Sequence, residues 1–158
     1  MEAGEFQTYL ENNIAMTGLM KFRLVSLSRN EARAQSPLSI NGNHRGSAFG
    51  GSLYNTLVLT SYSWLYGGLL KGDPDLALLI QKGEIEYLEE VLEDITSVCS
   101  SPGSQQVESF EKVLQSKGRA RIDLTSEIIS QGSGKVLARL NGRFVALKRK
   151  NGESSESV

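Results

Sequence analysis

Residues 46–70 of this chain carry no charged side chain. A run of that length is long enough to cross a bilayer, so it must either span a membrane or be sheltered by the rest of the protein. Its composition argues for shelter. Asn55, Thr56, Thr60, Ser61, Ser63 and the tyrosines Tyr54, Tyr62 and Tyr66 would each carry a polar group into hydrocarbon. The stretch from about Gly50 to Leu70 therefore reads as one long helix. It is closed by Lys71-Gly72-Asp73-Pro74, a basic residue, a glycine and a proline in the order that ends helices. A helix apolar on all sides has to be surrounded, and the remaining sequence must supply the wrapper.

That wrapper reads as strands. Met20, Phe22 and Leu24 alternate with Lys21, Arg23 and Val25. After a turn at Arg29-Asn30, Ala32, Ala34 and Leu38 alternate with Glu31, Arg33 and Gln35, with Pro37 near the end of its strand. Leu76–Val91 reads as a strand broken at Gly83, and Asp94–Ser100 as another. Ala120, Ile122 and Leu124 alternate with Arg119, Arg121 and Asp123, and Val136–Lys148 returns after a turn at Gly132–Lys135. Phe6, Tyr9, Leu10 and Ile14 have helical spacing and open the chain with a short amphipathic helix that stops near Gly18; Val107, Phe110, Val113 and Leu114 mark a second. The expected class is α+β, with a largely antiparallel sheet around one long central helix. Residues 1–150 read as a single domain and the polar tail 151–158 as disordered.

Composition narrows the function. A formal net charge of −1 supplies no field for nucleic acid or an anionic membrane, so neither is expected as a partner. The single cysteine, Cys99, and the single histidine, His44, exclude an intrachain disulfide and a Cys/His zinc site, so no metal is expected. A cytoplasmic location follows from that cysteine usage and from an acidic N-terminus, MEAGEFQTYLENN, that lacks the pattern of a signal peptide. Cys99 itself reads as a small buried hydrophobe on a strand.

The segment richest in chemistry is Asn43-His44-Arg45-Gly46-Ser47-Ala48-Phe49-Gly50-Gly51-Ser52, a glycine-rich turn delivering the chain into the start of the central helix. The first N–H groups of a helix have no intrahelical partner and carry the positive end of its dipole. Gly50 and Gly51 have no side chain, so a ligand oxygen can approach those groups closely; the same glycines would also serve tight packing against the sheet. His44, the sole imidazole, is either a proton acceptor or an exposed loop residue. Tyr54, one turn on, either points its hydroxyl at the same place or packs in the core, and Asn55 reads as a hydrogen-bonding residue within the core.

The spacing N-x-x-G-x-x-F-G-G in residues 43–51 resembles the N-x-x-G-x-x-H-G-G signature of hotdog-fold acyl-CoA thioesterases. The run Ile85-Glu86-Tyr87-Leu88-Glu89-Glu90, followed by Glu93-Asp94, is similar to that family's I-x-Y-L-x-P … G-D strand, and Ser47–Tyr54 looks closest to the thioesterase domain of YiiD-type proteins. The resemblance covers about residues 15–148. It implies a hotdog fold, a homodimer or higher symmetric oligomer, and hydrolysis of a small or medium acyl thioester of coenzyme A or an acyl carrier. No cofactor is implied beyond the coenzyme A moiety of the substrate. Asn43 then orients the carbonyl or the water, Gly50 or Gly51 supplies the oxyanion N–H, and Gln81 lies near a water-binding position. Phe49 and Tyr54 line an apolar acyl slot. Arg119 and Arg121, with Lys117 on one strand face, either grip the phosphates of coenzyme A or form the solvated face of an edge strand.

The departures from the pattern are specific. Phe49 stands where the family has histidine, and Val58 where it has the catalytic carboxylate; no Asp or Glu occurs between Arg45 and Lys71. Water attack needs a base, so the acid is either borrowed from the sheet, for instance Glu84 or Glu86, or missing. In the second case the chain is a non-catalytic acyl-thioester-binding protein. A hydratase on the same fold would need an acidic partner for His44.

Overall fold

A computed structural model describes residues 1–149. Lys150 and the 151–158 tail lie outside the described residues. The uncharged stretch forms α4 (Gly50–Tyr62) and continues without interruption into a π-helical segment, Ser63–Leu69. Among the described residues six strands wrap it: β1 (Arg23–Leu27), β2 (Glu31–Ser36), β3 (Leu76–Tyr87), β4 (Ile95–Ser100), β5 (Arg119–Ile129) and β6 (Val136–Lys148). They pair antiparallel throughout, in the order β1-β2-β4-β5-β6-β3, and α4 packs on β2, β4, β5, β6 and β3. The other helices are α1 (Ala3–Asn13), α2 (Ala15–Leu19), α3 (Leu38–Asn41) and α5 (Ser104–Lys117). This is the expected α+β hotdog arrangement, a sheet wrapped around one helix. No helix among the described residues is long and apolar enough to cross a membrane.

The period-two pattern explains the wrapping. On β5, Ala120, Ile122, Leu124, Ser126 and Ile128 are buried, whereas Arg119, Arg121, Asp123 and Thr125 are exposed. Where a polar residue falls on the inner face it pins the helix. The Ser126 hydroxyl donates to the Leu57 carbonyl at 3.1 Å, and the Thr60 and Ser97 hydroxyls are 2.5 Å apart. Such bonds remove the cost of leaving buried hydroxyls unpaired. The outer face is laced by Arg143–Asp123 and Arg139–Glu127, at 2.7 and 2.8 Å.

Several boundaries differ from the sequence reading, each for a local reason. The opening helix breaks at Ile14 (φ −131°, ψ 92°) and resumes as α2. Met20 and Phe22 are buried but precede β1, because Lys21 turns the chain at φ 49°. Leu38 belongs to α3, since Pro37 ends the strand and caps that helix. The irregularity in β3 falls at Gln81, between Ile80 and Lys82; Gly83 stays in the ladder opposite Gly142 and leaves room for the Tyr54 hydroxyl. The strand then ends at Tyr87 rather than Val91. The far half of the central helix is π rather than α: the Leu70 N–H donates to Leu65 O, five residues back, at 2.9 Å. Lys71 and Gly72, both at positive φ, close it as the sequence reading expects.

Candidate functional site

The loop before α4 is a closed hydrogen-bonded unit. Gly42 and Ala48 form a β-bridge, and the Asn43 N–H donates to Ser47 O at 2.8 Å. The Asn43 amide donates to Ser47 Oγ at 3.0 Å, while its Oδ1 accepts the Arg45 N–H at 2.8 Å. The loop is tied down by Phe49 N–H to Asn41 O and Ala48 N–H to Val91 O, both 2.8 Å. Asn41, nearly fully buried, donates its amide to the carbonyls of Met20 and Pro37. The start of α4 is thus held at a set position by backbone contacts on both sides.

The first helical bond is Leu53 N–H to Phe49 O at 3.1 Å, and no side chain caps α4. The N–H groups of Gly50, Gly51 and Ser52 therefore lie before the intrahelical ladder, at the positive end of the helix. Beside them opens a cleft of about 480 Å³ lined by Ser47, Ala48, Gly50, Gly51, Leu53 and the segment Tyr87–Val91. Two half-exposed rings flank it. The Tyr87 hydroxyl donates to Gly50 O at 2.9 Å. The Phe49 ring lies so close to Gly51 that a Cβ there would come 2.5 Å from Cε1. A Cβ on Gly50 would meet the Tyr87 hydroxyl at 3.2 Å. The neighbours at both glycines are half-exposed side-chain rings, and neither glycine has left-handed backbone.

Asn43, His44, Phe49, Gly50 and Gly51 come together in this loop; both ends of the Asn43 amide are engaged within it, and His44 is exposed. Tyr54 is half-buried against the apolar cluster of Leu53, Leu57, Ile95 and Leu140, with its hydroxyl toward Gly83. Asn55 has no side-chain hydrogen bond among the described residues, contrary to the core role expected of it, and it and Val58 line a second, apolar groove with Tyr62. Gln81, Arg119 and Arg121 lie elsewhere. Gln81 accepts from Arg121 Nε at 3.0 Å on the face of the sheet turned away from α4. The expected basic stripe is shorter than the sequence suggests. Lys117 ends α5, Gly118 turns the chain at φ 65°, and β5 is an interior strand between β4 and β6. Glu84 and Glu86 also face outward; Lys82 beside Glu84 donates to its carboxylate and holds it below the ordinary range.

The acids at the cleft are instead Glu89, paired with Lys135, and Glu90, 3.8 Å from Arg45. With Tyr87 these are the residues the sequence reading did not place at the site. They sit within the Ile85–Glu90 run, and only the early end of β3 turns that run toward the helix start. Cys99 is fully buried, and burial pushes its thiol up to about 12, so it is no nucleophile. Burial, and then contact with Tyr9, also raises the phenols of Tyr62 and Tyr66, the latter to about 12; both stay neutral.

No curated protein matches the chain. Among solved structures it is similar to a protein of unknown function from Chlorobaculum tepidum TLS, with a TM-score of 0.86 at 23% identity, covering 93% of this chain and 94% of that one. It is also similar to a "putative thioesterase" from Shewanella oneidensis (TM-score 0.79, 20% identity, 92% and 96% covered) and a thioesterase from Haemophilus influenzae (0.74, 9%, 98% and 96%). At these identities the likeness establishes the hotdog fold. The family described as "Putative thioesterase (yiiD_Cterm)" matches residues 3–148, and the chain belongs to it.

Proposed function

We propose that the protein hydrolyses a small or medium acyl thioester of coenzyme A or of an acyl carrier, in the cytoplasm, at the start of α4. The observation that carries this reading is the uncapped helix start at Gly50-Gly51, opening on a cleft with apolar walls and acids on its rim. A carbonyl oxygen seated on the N–H groups of Gly50 and Gly51 is polarised toward attack, and the oxyanion formed there gains most from the preorganised dipoles. Water adds to the carbonyl carbon, a base takes its proton, and collapse of the adduct expels the thiolate, which is then protonated. Val58 gives the helix no carboxylate, so the base comes from Glu90 on the cleft wall or from exposed His44 in the loop that leads into the helix. Asn43 shapes the loop that orients the water. A substrate seated at this helix start in the same subunit meets neither Gln81 nor Arg121, which lie across the sheet.

The protein acts as a homodimer or larger symmetric assembly. β3 is a twelve-residue strand with one edge unpaired among the described residues, bearing exposed Leu79, Ile80 and Tyr87, and a second copy offers it the matching edge. Light scattering at micromolar concentration gives at least twice the chain mass; a monomer contradicts this.

A second reading has its own support. With Val58 in place of a carboxylate, the same cleft can hold acyl thioesters without turning them over. Thiol release from a panel of acyl-CoAs, followed across about pH 5 to 9, separates the two. Slow turnover of at least one substrate, largely removed by Asn43→Ala, supports the hydrolase. Activity abolished by His44→Ala assigns the base to His44; activity abolished by Glu90→Gln instead assigns it to Glu90. Binding with no thiol released from any substrate leaves the binding protein.

A further inference from the structure

Alternation along the last part of β3 puts Gly83, Ile85 and Tyr87 on the face turned toward α4, with Glu84 and Glu86 on the other. Gly83 meets the Tyr54 hydroxyl and Ile85 packs on the cluster of Leu53 and Leu57, so Tyr87 arrives beside the first residues of the helix. The strand stops there, with the N–H groups of Leu88 and Glu89 both donating to Leu137 O at 2.9 and 3.0 Å. The Tyr87 ring is 53% exposed, and among the described residues its hydroxyl makes one hydrogen bond, to Gly50 O at 2.9 Å. A half-exposed phenol has water at hand and needs no protein partner, and a phenylalanine ring would line the cleft as well. Burial therefore does not explain the bond.

Gly50 O belongs to the same planar, trans peptide unit as the Gly51 N–H. Whatever fixes the carbonyl fixes the N–H at the opposite end of that plane. This unit has much need of fixing. It joins two glycines, the residues that restrict backbone rotation least, and no side chain caps the helix start. The Gly51 N–H has no acceptor within the helix. Inside α4 the carbonyl is held by the N–H of Tyr54, four residues on; Tyr87 supplies a second hold, from the sheet. A hydrogen bond accepted by a carbonyl also polarises its peptide, which strengthens the N–H as a donor. We propose that Tyr87 is a positioning residue: its hydroxyl, through Gly50 O, aims and polarises the Gly51 N–H that receives the oxyanion. The role rests on the thioester reading of the helix start.

The test is Tyr87→Phe in the full chain, which removes the hydroxyl and keeps the ring. Magnetic resonance of protein carrying glycine labelled at its carbonyl carbon and its nitrogen reads the bond directly, because only Gly51 and Gly68 follow another glycine. The Gly50 carbonyl signal should move upfield and the Gly51 N–H should shift with it. The Gly67–Gly68 pair, buried in the π-helical segment, should stay in place. For thiol release from acyl-CoA, kcat should fall about tenfold, a fraction of the roughly 100-fold or more lost when such a donor is removed outright. KM should change by less than about twofold, because the N–H gains most in the transition state. The denaturant midpoint should not move. Tyr9→Phe, which removes a hydroxyl beside that of Tyr62 at the other end of α4, should leave kcat and the Gly50–Gly51 signals unchanged. Unmoved Gly50–Gly51 signals, an undiminished kcat, a rise in KM alone, or an equal slowing by Tyr9→Phe overturns the proposal. The two readings fail separately. A wild type that releases no thiol from any acyl-CoA removes the hydrolase and with it the kinetic role, while the glycine signals, read without substrate, still decide whether Tyr87 sets this peptide. Turnover that Tyr87→Phe does not slow removes the role of Tyr87 and leaves the hydrolase.

Discussion

The two halves of the central helix differ in how they are held. The π-helical half, Ser63–Leu69, is buried at every residue. Its Trp64 is fully enclosed, with the indole N–H donating to Arg29 O at 3.1 Å, and Gly67 and Gly68 press against Phe6 and the Ser28 carbonyl with no room for a Cβ. The α half starts uncapped, carries a half-buried line from Gly51 to Tyr62, and is flanked by the half-exposed rings of Phe49 and Tyr87. One half anchors the fold; the other keeps polar backbone and open space available. A single run of uncharged sequence therefore does two jobs, divided by what covers it.

The largest effects should fall on the anchored half. Trp64→Ala should cost about 3–5 kcal/mol of stability, because it leaves a cavity the size of an indole. Gly68→Val, whose Cβ would sit 2.6 Å from Ser28 O, should cost about 3 kcal/mol or prevent folding. Both are read from denaturant unfolding midpoints, and a loss under about 1 kcal/mol in either would show that the two halves do not differ as described. A middle-sized effect concerns Cys99. With its thiol raised to about 12 and fully enclosed, it should resist a thiol reagent at about pH 8 in the native protein and react only on unfolding. Rapid labelling of the native chain would mean that the core near Ser61 opens readily.

The smallest effect belongs to the outer face of the sheet. The Arg143 guanidinium donates to Asp123 and holds its carboxyl below the ordinary value of 3.8. Its stabilisation is therefore present above that value and is lost as pH falls through the lowered folded value. With side-chain exposures of 47% and 64%, the pair is well screened, so Asp123→Asn should change stability at neutral pH by less than about 1 kcal/mol. A larger loss would mean that this face is covered in the assembled protein.

The same contrast explains what could be read from sequence. The absence of charge from Gly46 to Leu70 demanded a buried helix, and the period-two alternation of Ala120, Ile122 and Leu124 demanded a sheet face to bury it against. Pattern does not say where a helix widens: the π segment depends on Gly67 and Gly68 meeting Phe6, Leu27 and Ser28, contacts remote in sequence. At the site, the spacing of Asn43, Gly46, Gly50 and Gly51 led to the helix start. The acids did not follow from spacing. Alternation puts Glu84 and Glu86 on the outer face, while β3 ends at Tyr87, so Glu89 and Glu90 turn toward the cleft. Gln81 sits at an irregularity in the ladder, which spacing does not reveal and which turns it toward Arg121.

The central claim is that chemistry takes place at the uncapped start of α4, and Gly51→Val tests it most directly. The new side chain meets the exposed Phe49 ring, which can swing aside, so unfolding free energy should change by no more than about 1 kcal/mol. The same substitution obstructs the N–H groups that would hold the oxyanion, whose loss typically costs about 3–4 kcal/mol of transition-state stabilisation. Thiol release from acyl-CoA, measured on wild type and variant with equal folded fractions, should therefore fall by about two orders of magnitude. Undiminished turnover by a well-folded Gly51→Val protein would place the chemistry elsewhere and contradict the account.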